Sequence, residues 1–422
     1  MHSFGWINRD IIFMFYKTIL LNCVQLTLRK EESMAYPVSQ SNLRLINRQQ
    51  IYEYIYDHPD CTRQEISRNT GLSLPTVTSN LTDFMESDLI FSDGLNDSSG
   101  GRKAKLYRCN PVQRCSVGVN LAGSFYEIAV CDLYGQPIHQ YLSETAFRND
   151  EEYIDMVCST IMNQLSQAHI SLETVLGVMV SVQGLVDHDG ESVLYGDAIN
   201  TVGMQAEVFR RHLHLPCRLI NNVEAAAVGE INLHPDLINA VYFMINEYMG
   251  ASVIIGRSIL YDRRSFGGRI EHMCLVPDGN PCYCGKKGCI DSYCSLKSLS
   301  ANLGGESMDD FFANLRQGGA KEQTIWNAYL RKLSMAIDNV RMVLETDVII
   351  GGVLAKYLTQ EDLEQLAAYI NEISSFKVSS DFLSLGKGGK FSASKGASLY
   401  YINQYIHSVG MTETLSQWQA EG

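Results

Sequence analysis

The sequence predicts an α/β protein of two lobes headed by a winged helix-turn-helix, and three observations carry that prediction. A helical, then hairpin-like, pattern fills residues 41–110. Strands alternate with helices after Pro111. His272, Cys282, Cys284 and Cys289 stand at metal-ligand spacing in the second half of the chain. A length of 422 residues suits two or three domains. The expected divisions are an extension at 1–33, the winged head at 41–110, a first lobe at 115–235 completed by a C-terminal helix at 393–409, and a second lobe with the cysteine knuckle at 236–392.

Residues 1–33 are expected to be a non-native or disordered extension. Arg29-Lys30-Glu31-Glu32-Ser33, just before Met34, can be written in purine-rich codons, as a translated ribosome-binding site would be, which makes Met34 the expected start. The alternative is a genuine amphipathic N-terminal helix. The apolar stretch 11–16 is bracketed by Arg9, Asp10 and Lys17 with no small-residue cleavage site, so no signal peptide is expected. No apolar run approaches the roughly 18 residues of a membrane span.

In the head, Leu45, Ile46, Ile51, Tyr52 and Ile55 recur at helical spacing up to His58-Pro59. Thr62 caps a second helix, with Glu65 three residues on completing a capping box. Gly71 suits the left-handed turn that follows, Leu72 plugs the core, and Ser73 caps a third helix over about 74–87. That helix buries Val77, Leu81, Phe84 and Met85. Its N-terminal polar residues, Thr76, Thr78, Ser79 and Asn80 with Ser73, are placed to reach base edges in a major groove. Two short strands, 89–91 and 105–107, flank a polar loop whose Gly100-Gly101-Arg102-Lys103 tip could lay a cation into the minor groove.

Charge bounds this reading. The whole chain carries −13, which argues against non-specific nucleic-acid binding but not against a local reader. Acidic residues slightly outnumber basic ones over 34–110. The cations nevertheless group at Arg63, Arg68 and the wing, while Asp83, Glu86 and Asp88 sit at the far end of the third helix. The alternative is a three-helix protein-interaction module.

Beyond Pro111, 116–121 and 127–133 read as strands joined by a tight turn, 152–168 as a helix and 175–182 as a buried strand running into Gln183-Gly184. The cysteine cluster, His-x9-Cys-x-Cys-x4-Cys, can close a tetrahedral shell around Zn²⁺ with no open position, so a structural zinc is expected at His272, Cys282, Cys284 and Cys289. Gly279, Pro281, Gly285 and Gly288 let the loop turn back, and Lys286 and Lys287 offset thiolate charge. Cys274 and Cys294 flank the cluster, and Cys294 is read as packed. The alternative is four ordinary reduced cysteines. The remainder of the 12 cysteines are scattered in apolar segments, which fits a reducing cytoplasm.

From about Asn42 to Val409 these residues resemble the ROK family of transcriptional repressors and sugar kinases. The most specific match is Pro281-Cys282-Tyr283-Cys284-Gly285-Lys286-Lys287-Gly288-Cys289-Ile290-Asp291 preceded by His272. The winged helix, Gly184, Asn221-Asn222 and Gly351-Gly352 fall in the same order. The resemblance implies an actin/hexokinase-like ATPase fold. Family members with the winged helix resemble regulators of carbohydrate genes, and those without it resemble kinases.

Three departures from the kinase pattern are expected to abolish phosphoryl transfer. Asn120-Leu121-Ala122-Gly123-Ser124 replaces an Asp-x-Gly-Gly-Thr turn. Asn222 replaces the general-base Asp, and a neutral amide cannot accept the sugar proton. Asn246-Glu247-Tyr248-Met249-Gly250-Ala251 replaces a Gly-Thr-Gly phosphate loop, with Glu247 repelling phosphate. At the sugar site, Arg269 replaces the family's carboxylate, Glu271 is displaced by two residues, and Asp291 stands for Glu.

Asn221, Asn222, Arg269, Glu271 and Asp291 are therefore the candidate ligand residues. The cleft either takes an anionic ligand such as a sugar phosphate or sugar acid, or stands empty with Arg269 paired to Glu271 or Asp291. For Asn221 and Asn222 the structural alternative is capping of the helix that starts near Glu224. The expected protein is a cytoplasmic, zinc-containing repressor that binds operator DNA as a homodimer or dimer of dimers. The rival is a sugar kinase carrying a DNA-binding head.

Overall fold

The computed structural model describes residues 40–95, 104–260 and 267–409. The expectation for 1–33 and Met34 therefore lies outside the described residues, as does the wing tip at Arg102 and Lys103. Packing separates residues 1–47, described only as helix from Gln40, from residues 48–422.

The head is built from helices α1 (Gln40–Asp57), α2 (Arg63–Thr70) and α3 (Leu74–Glu86) and strands β1 (Cys61–Thr62), β2 (Ile90–Leu95) and β3 (Lys105–Cys109), paired in the order β1-β3-β2. The capping box forms: Thr62 N donates to Glu65 Oε2 at 2.7 Å and Glu65 N to Thr62 Oγ1 at 3.3 Å. Gly71 ends α2 at φ +73°, a conformation a β-carbon would strain. Ile51, Tyr52, Ile55, Ile66, Val77 and Phe84 are fully buried between the helices.

The first sheet of the body joins β4 (Cys115–Leu121), β5 (Tyr126–Asp132), β6 (Pro137–Ser143), β7 (Val175–Val182) and β10 (Cys217–Asn221) in the order β10-β7-β4-β5-β6. The first three form an antiparallel meander, and β7 and β10 run parallel to β4. Two shorter strands, β8 (Leu185–Val186) and β9 (Val193–Tyr195), pair beside it. One face of the sheet packs Val117, Val119 and Val130 against α4 (Glu151–Gln167) and α5 (Ala206–Leu213).

The second sheet joins β11 (Ala240–Ile245), β12 (Met249–Ile255), β13 (Ser258–Ile259), β14 (Asp347–Gly351) and β15 (Leu383–Leu385), ordered β13-β12-β11-β14-β15. Phe243, Ile245 and Ile350 bury one face under α10 (Ala320–Arg341) and α11 (Gln360–Ile373), with the short helices α7 (Asp291–Cys294), α8 (Leu296–Ser300) and α9 (Met308–Arg316) alongside.

Helices α6 (Asn222–Leu233) and α12 (Ser392–Ser408) fill the layer between the sheets. Their packing is backbone to backbone. A β-carbon on Gly118 of β4 would collide with Ser394 O of α12, and one on Gly396 of α12 would collide with Ala225 O of α6. The far end of α12 enters the head: Ile402, Tyr405 and Ile406 share a core with Ile51, Tyr52 and Ile55. Tyr56 Oη donates to Leu133 O at 2.8 Å and its ring stacks on Tyr134 at 4.9 Å. No described helix is long and apolar enough to cross a membrane.

Gly396→Ala should lower the unfolding free energy by about 2–3 kcal/mol, the usual cost of forcing an extra carbon into a closed contact. Urea denaturation of the purified chain checks this.

Candidate functional site

Three features stand out: the first turns of α3, the cysteine knuckle, and a cleft between the lobes. On α3, Ser73 caps the helix and its Oγ lies 2.8 Å from Thr76 Oγ1. Arg63 Nη1 donates to Thr78 Oγ1 at 3.1 Å, and Thr78 Oγ1 donates back to Leu74 O at 2.7 Å. Asn80 Nδ2 donates to Thr76 O at 2.9 Å, and Ser79 is exposed. Six of the eight expected DNA-reading residues thus lie on or beside the first turns of α3, and all but Ser79 are hydrogen-bonded locally. Sequence reading missed Leu74, which is 42% exposed on the same turn and is the kind of apolar group that meets a thymine methyl.

In the knuckle, the ligand atoms of His272, Cys282, Cys284 and Cys289 all lie within 4.8 Å of one another, close enough to hold one metal ion. Cys282 Sγ is 3.7 Å from His272 Nδ1, and Cys284 Sγ is 3.7 Å from Cys289 Sγ. Backbone bonds fold the loop: Cys282 N donates to Lys286 O at 2.8 Å and Gly288 N to Asn280 O at 2.8 Å, with Gly285 and Gly288 both at positive φ.

The donor set fits a cation. Burial, with the Arg269 and Lys286 charges, holds the His272 imidazole below its usual range and so neutral, as a ligand must be. Burial pushes the Cys282 and Cys289 thiols up, so a bound cation is what would draw them to thiolate. Cys294 is buried in the second-lobe core, consistent with packing.

The cleft, about 430 Å³, lies beneath the knuckle and is lined by Gln183, Tyr195, Asn222, Tyr248, Arg269, Glu271 and Tyr283, among others. Asn221 lines it too, and only the expectation for Asp291 needs correction. Asn221 is the cap of α6: its Oδ1 accepts from Val223 N at 2.9 Å and Glu224 N at 3.2 Å, and its Nδ2 donates to Gly184 O at 2.7 Å. The capping alternative describes it, because both ends of the amide are committed to backbone. Asp291 does not line the cleft; its Oδ1 accepts from Met249 N at 2.7 Å and so pins the start of β12. Burial pushes that carboxyl up to about 6, against the pull of the Met249 amide.

Arg269 pairs with neither Glu271 nor Asp291. Its Nη2 donates to Glu224 Oε1 at 2.9 Å, from the first turn of α6, which starts two residues before Glu224. The pair is well shielded, with side chains 15% and 18% exposed. Glu271 is buried, its Oε2 has no hydrogen-bond partner among the described residues, and burial pushes it up to about 7.

The positions a kinase would use carry other contacts. Asn120 Oδ1 accepts from Ser181 Oγ at 3.2 Å, and its Nδ2 donates to Glu127 at 3.4 Å, inside the sheet. Asn246 Oδ1 accepts from Val353 N at 2.7 Å, occupying a backbone donor beside Gly351-Gly352. Tyr248 takes a hydrogen bond from Lys297 Nζ at 2.8 Å and meets the Tyr283 ring edge to face at 5.0 Å. These tyrosines were not singled out in the sequence. The available signal was the Cys-Tyr-Cys alternation, which sends Tyr283 away from the two ligand sulfurs.

A winged head on a two-lobed body with an interlobe cleft defines a DNA-binding regulator built on a sugar-kinase scaffold. The chain belongs to the ROK family, whose profile matches residues 116–398, and a winged helix-turn-helix DNA-binding profile matches residues 44–90. The xylose repressor of Bacillus subtilis (strain 168) is 25% identical over 267 residues, 63% of this chain and 69% of that one. The xylose repressor of Caldicellulosiruptor bescii is 22% identical over 355 residues, 79% of this chain and 89% of that one. In structure, a ROK family transcriptional regulator homologous to the Escherichia coli Mlc protein superposes with TM-score 0.71 at 19% identity, covering 90% of this chain and 100% of that one. The ROK hexokinase of Thermus thermophilus superposes with TM-score 0.56 at 19% identity, covering 68% of this chain and 97% of its own.

The Arg269–Glu224 pair should be energetically coupled. Glu224→Ala and Arg269→Ala should each destabilise, and the double variant should recover about 1–2 kcal/mol relative to additivity. A double-mutant cycle in urea measures this.

Proposed function

We infer that the protein is a DNA-binding transcriptional regulator, a repressor of carbohydrate-related genes, whose kinase-like body senses a ligand instead of phosphorylating it. The carrying observation is the exposed, capped N-terminus of α3, with Arg63, Ser73, Thr76, Thr78, Ser79 and Asn80 on one surface. In a helix-turn-helix this end enters the major groove, and the wing residues Arg102 and Lys103 reach the adjacent minor groove. Two copies of the chain would present two heads to half-sites about 34–36 Å or a multiple apart. We assign it to the cytoplasm, the compartment of the DNA it would bind. The lobes are taken as 115–235 with 393–409, and 236–392.

The metal is assigned as zinc. Three thiolates and an imidazole with no open position are a structural zinc set, and such a set stiffens the cleft wall without taking part in chemistry. The ligand is assigned as a neutral sugar. Glu224 cancels the Arg269 charge, which removes the reason to expect a sugar phosphate or sugar acid, and Tyr195, Tyr248 and Tyr283 line the cleft beside Gln183 and Asn222. The relatives named xylose repressor make pentoses the first sugars to try. To move repression from 99:1 to 1:99, the sugar must prefer one arrangement of the body by about 5.5 kcal/mol.

Zinc-loaded protein should select a discrete sequence from its own genomic DNA, and the Arg102→Ala, Thr78→Ala double variant should lose that selectivity. Binding of random fragments at moderate salt by both proteins alike would sink the reader assignment. The kinase rival is tested directly: protein, ATP, Mg²⁺ and a sugar panel should release no ADP above a protein-free control, since Asn222 cannot take the hydroxyl proton.

A further inference from the structure

The knuckle has a sulfur close by that the metal shell does not use. Cys274 is an exposed free cysteine two residues past His272, whereas Cys289 is only 1% exposed. The backbone sets the two directly opposite one another in an antiparallel bridge. Leu275 N donates to Gly288 O at 2.7 Å and Ile290 N to Met273 O at 2.9 Å, which makes Cys274 and Cys289 the non-hydrogen-bonded pair of that rung. In such a pair the Cα atoms stand about 4.5 Å apart and the side chains share a face. That separation falls within the roughly 4.4–6.8 Å over which a disulfide closes without moving the backbone. Gly288 lets the two segments close to this distance: a β-carbon there would collide with Val276 O.

We propose that Cys274 is a peroxide-reactive modification site with Cys289 as its resolving partner, so that oxidation closes a Cys274–Cys289 disulfide and takes a ligand from the metal shell. This rests on the zinc assignment above. The Cys274 thiolate attacks one oxygen of hydrogen peroxide; an S–O bond forms, the O–O bond breaks and hydroxide leaves. Cys289 sulfur then attacks the sulfenic sulfur; the S–S bond forms, the S–O bond breaks, and the oxygen departs with a proton as water. Two thiols lose two electrons in all, and one peroxide is reduced to two waters. His272, Cys282 and Cys284 remain, too few to close the shell, and the wall carrying Tyr283 loosens with them.

The competing pair is Cys284 with Cys289, whose sulfurs are 3.7 Å apart. Both of those are ligands and are masked while metal is bound. Cys274 is unligated and exposed, so it meets the oxidant first.

The test uses the reduced full-length protein. Elemental analysis should give one zinc per chain. Hydrogen peroxide is then added, zinc release is followed with a chromophoric chelator, and disulfides are mapped by mass spectrometry after alkylation. Zinc should leave in step with a Cys274–Cys289 linked peptide and return with dithiothreitol and added zinc. Cys274→Ser should hold the same zinc and release it at least roughly tenfold more slowly, having lost the first thiol to react. Release from Cys274→Ser at the wild-type rate, or a map showing only Cys284–Cys289 or Cys282–Cys284, overturns the proposal. A reduced protein without zinc overturns the zinc assignment and the release with it, while the map still decides the pairing.

Discussion

The contact of α12 with its neighbours is the constraint on which the rest of the structure depends. At Gly118 and Gly396 the helix touches β4 on one side and α6 on the other with no side chain between. Interiors packed this closely transmit displacement instead of absorbing it. The same helix ends in the head, where Ile402, Tyr405 and Ile406 join the core of α1. Since α6 begins at Asn222 on the cleft, one uninterrupted set of packed elements runs from the cleft to the head. A ligand that draws the lobes together has no slack to take up before the head feels it.

The second theme is reassignment. At positions where the sequence departs from the kinase pattern, polar side chains bond within the chain. Asn120 ties β4 to β7 and β5, Asn246 satisfies the amide after Gly351-Gly352, and Asp291 holds β12. Each is a structural contact, and for Asn120 and Asp291 its loss leaves a buried partner unsatisfied.

Much of this was legible in the sequence wherever the information is local. The strand at 175–182, the Thr62–Glu65 capping box, the Gly71 turn and the four knuckle residues all follow from spacing over a few positions, because period, caps and turns are short-range physics. What escaped was set by contacts between distant segments. Glu224 reaches Arg269 across 45 positions, Met249 reaches Asp291 across 42, and Asn246 reaches Val353 across 107. No periodicity encodes those meetings. Asn221 combines both readings: it lines the cleft and caps the helix that starts there.

The join between head and body has a further consequence. Asn110 N is bonded to Leu89 O and Leu133 N to Pro111 O, while Tyr56 is locked to Leu133 and stacked on Tyr134. The head is welded on, with no swivel in the described connection. Under the proposed reading as a DNA-binding dimer, α3 and the wing decide which letters are read, and the body decides how far apart two sets of letters lie. Lineages that exchanged heads would acquire a new vocabulary while keeping the old punctuation.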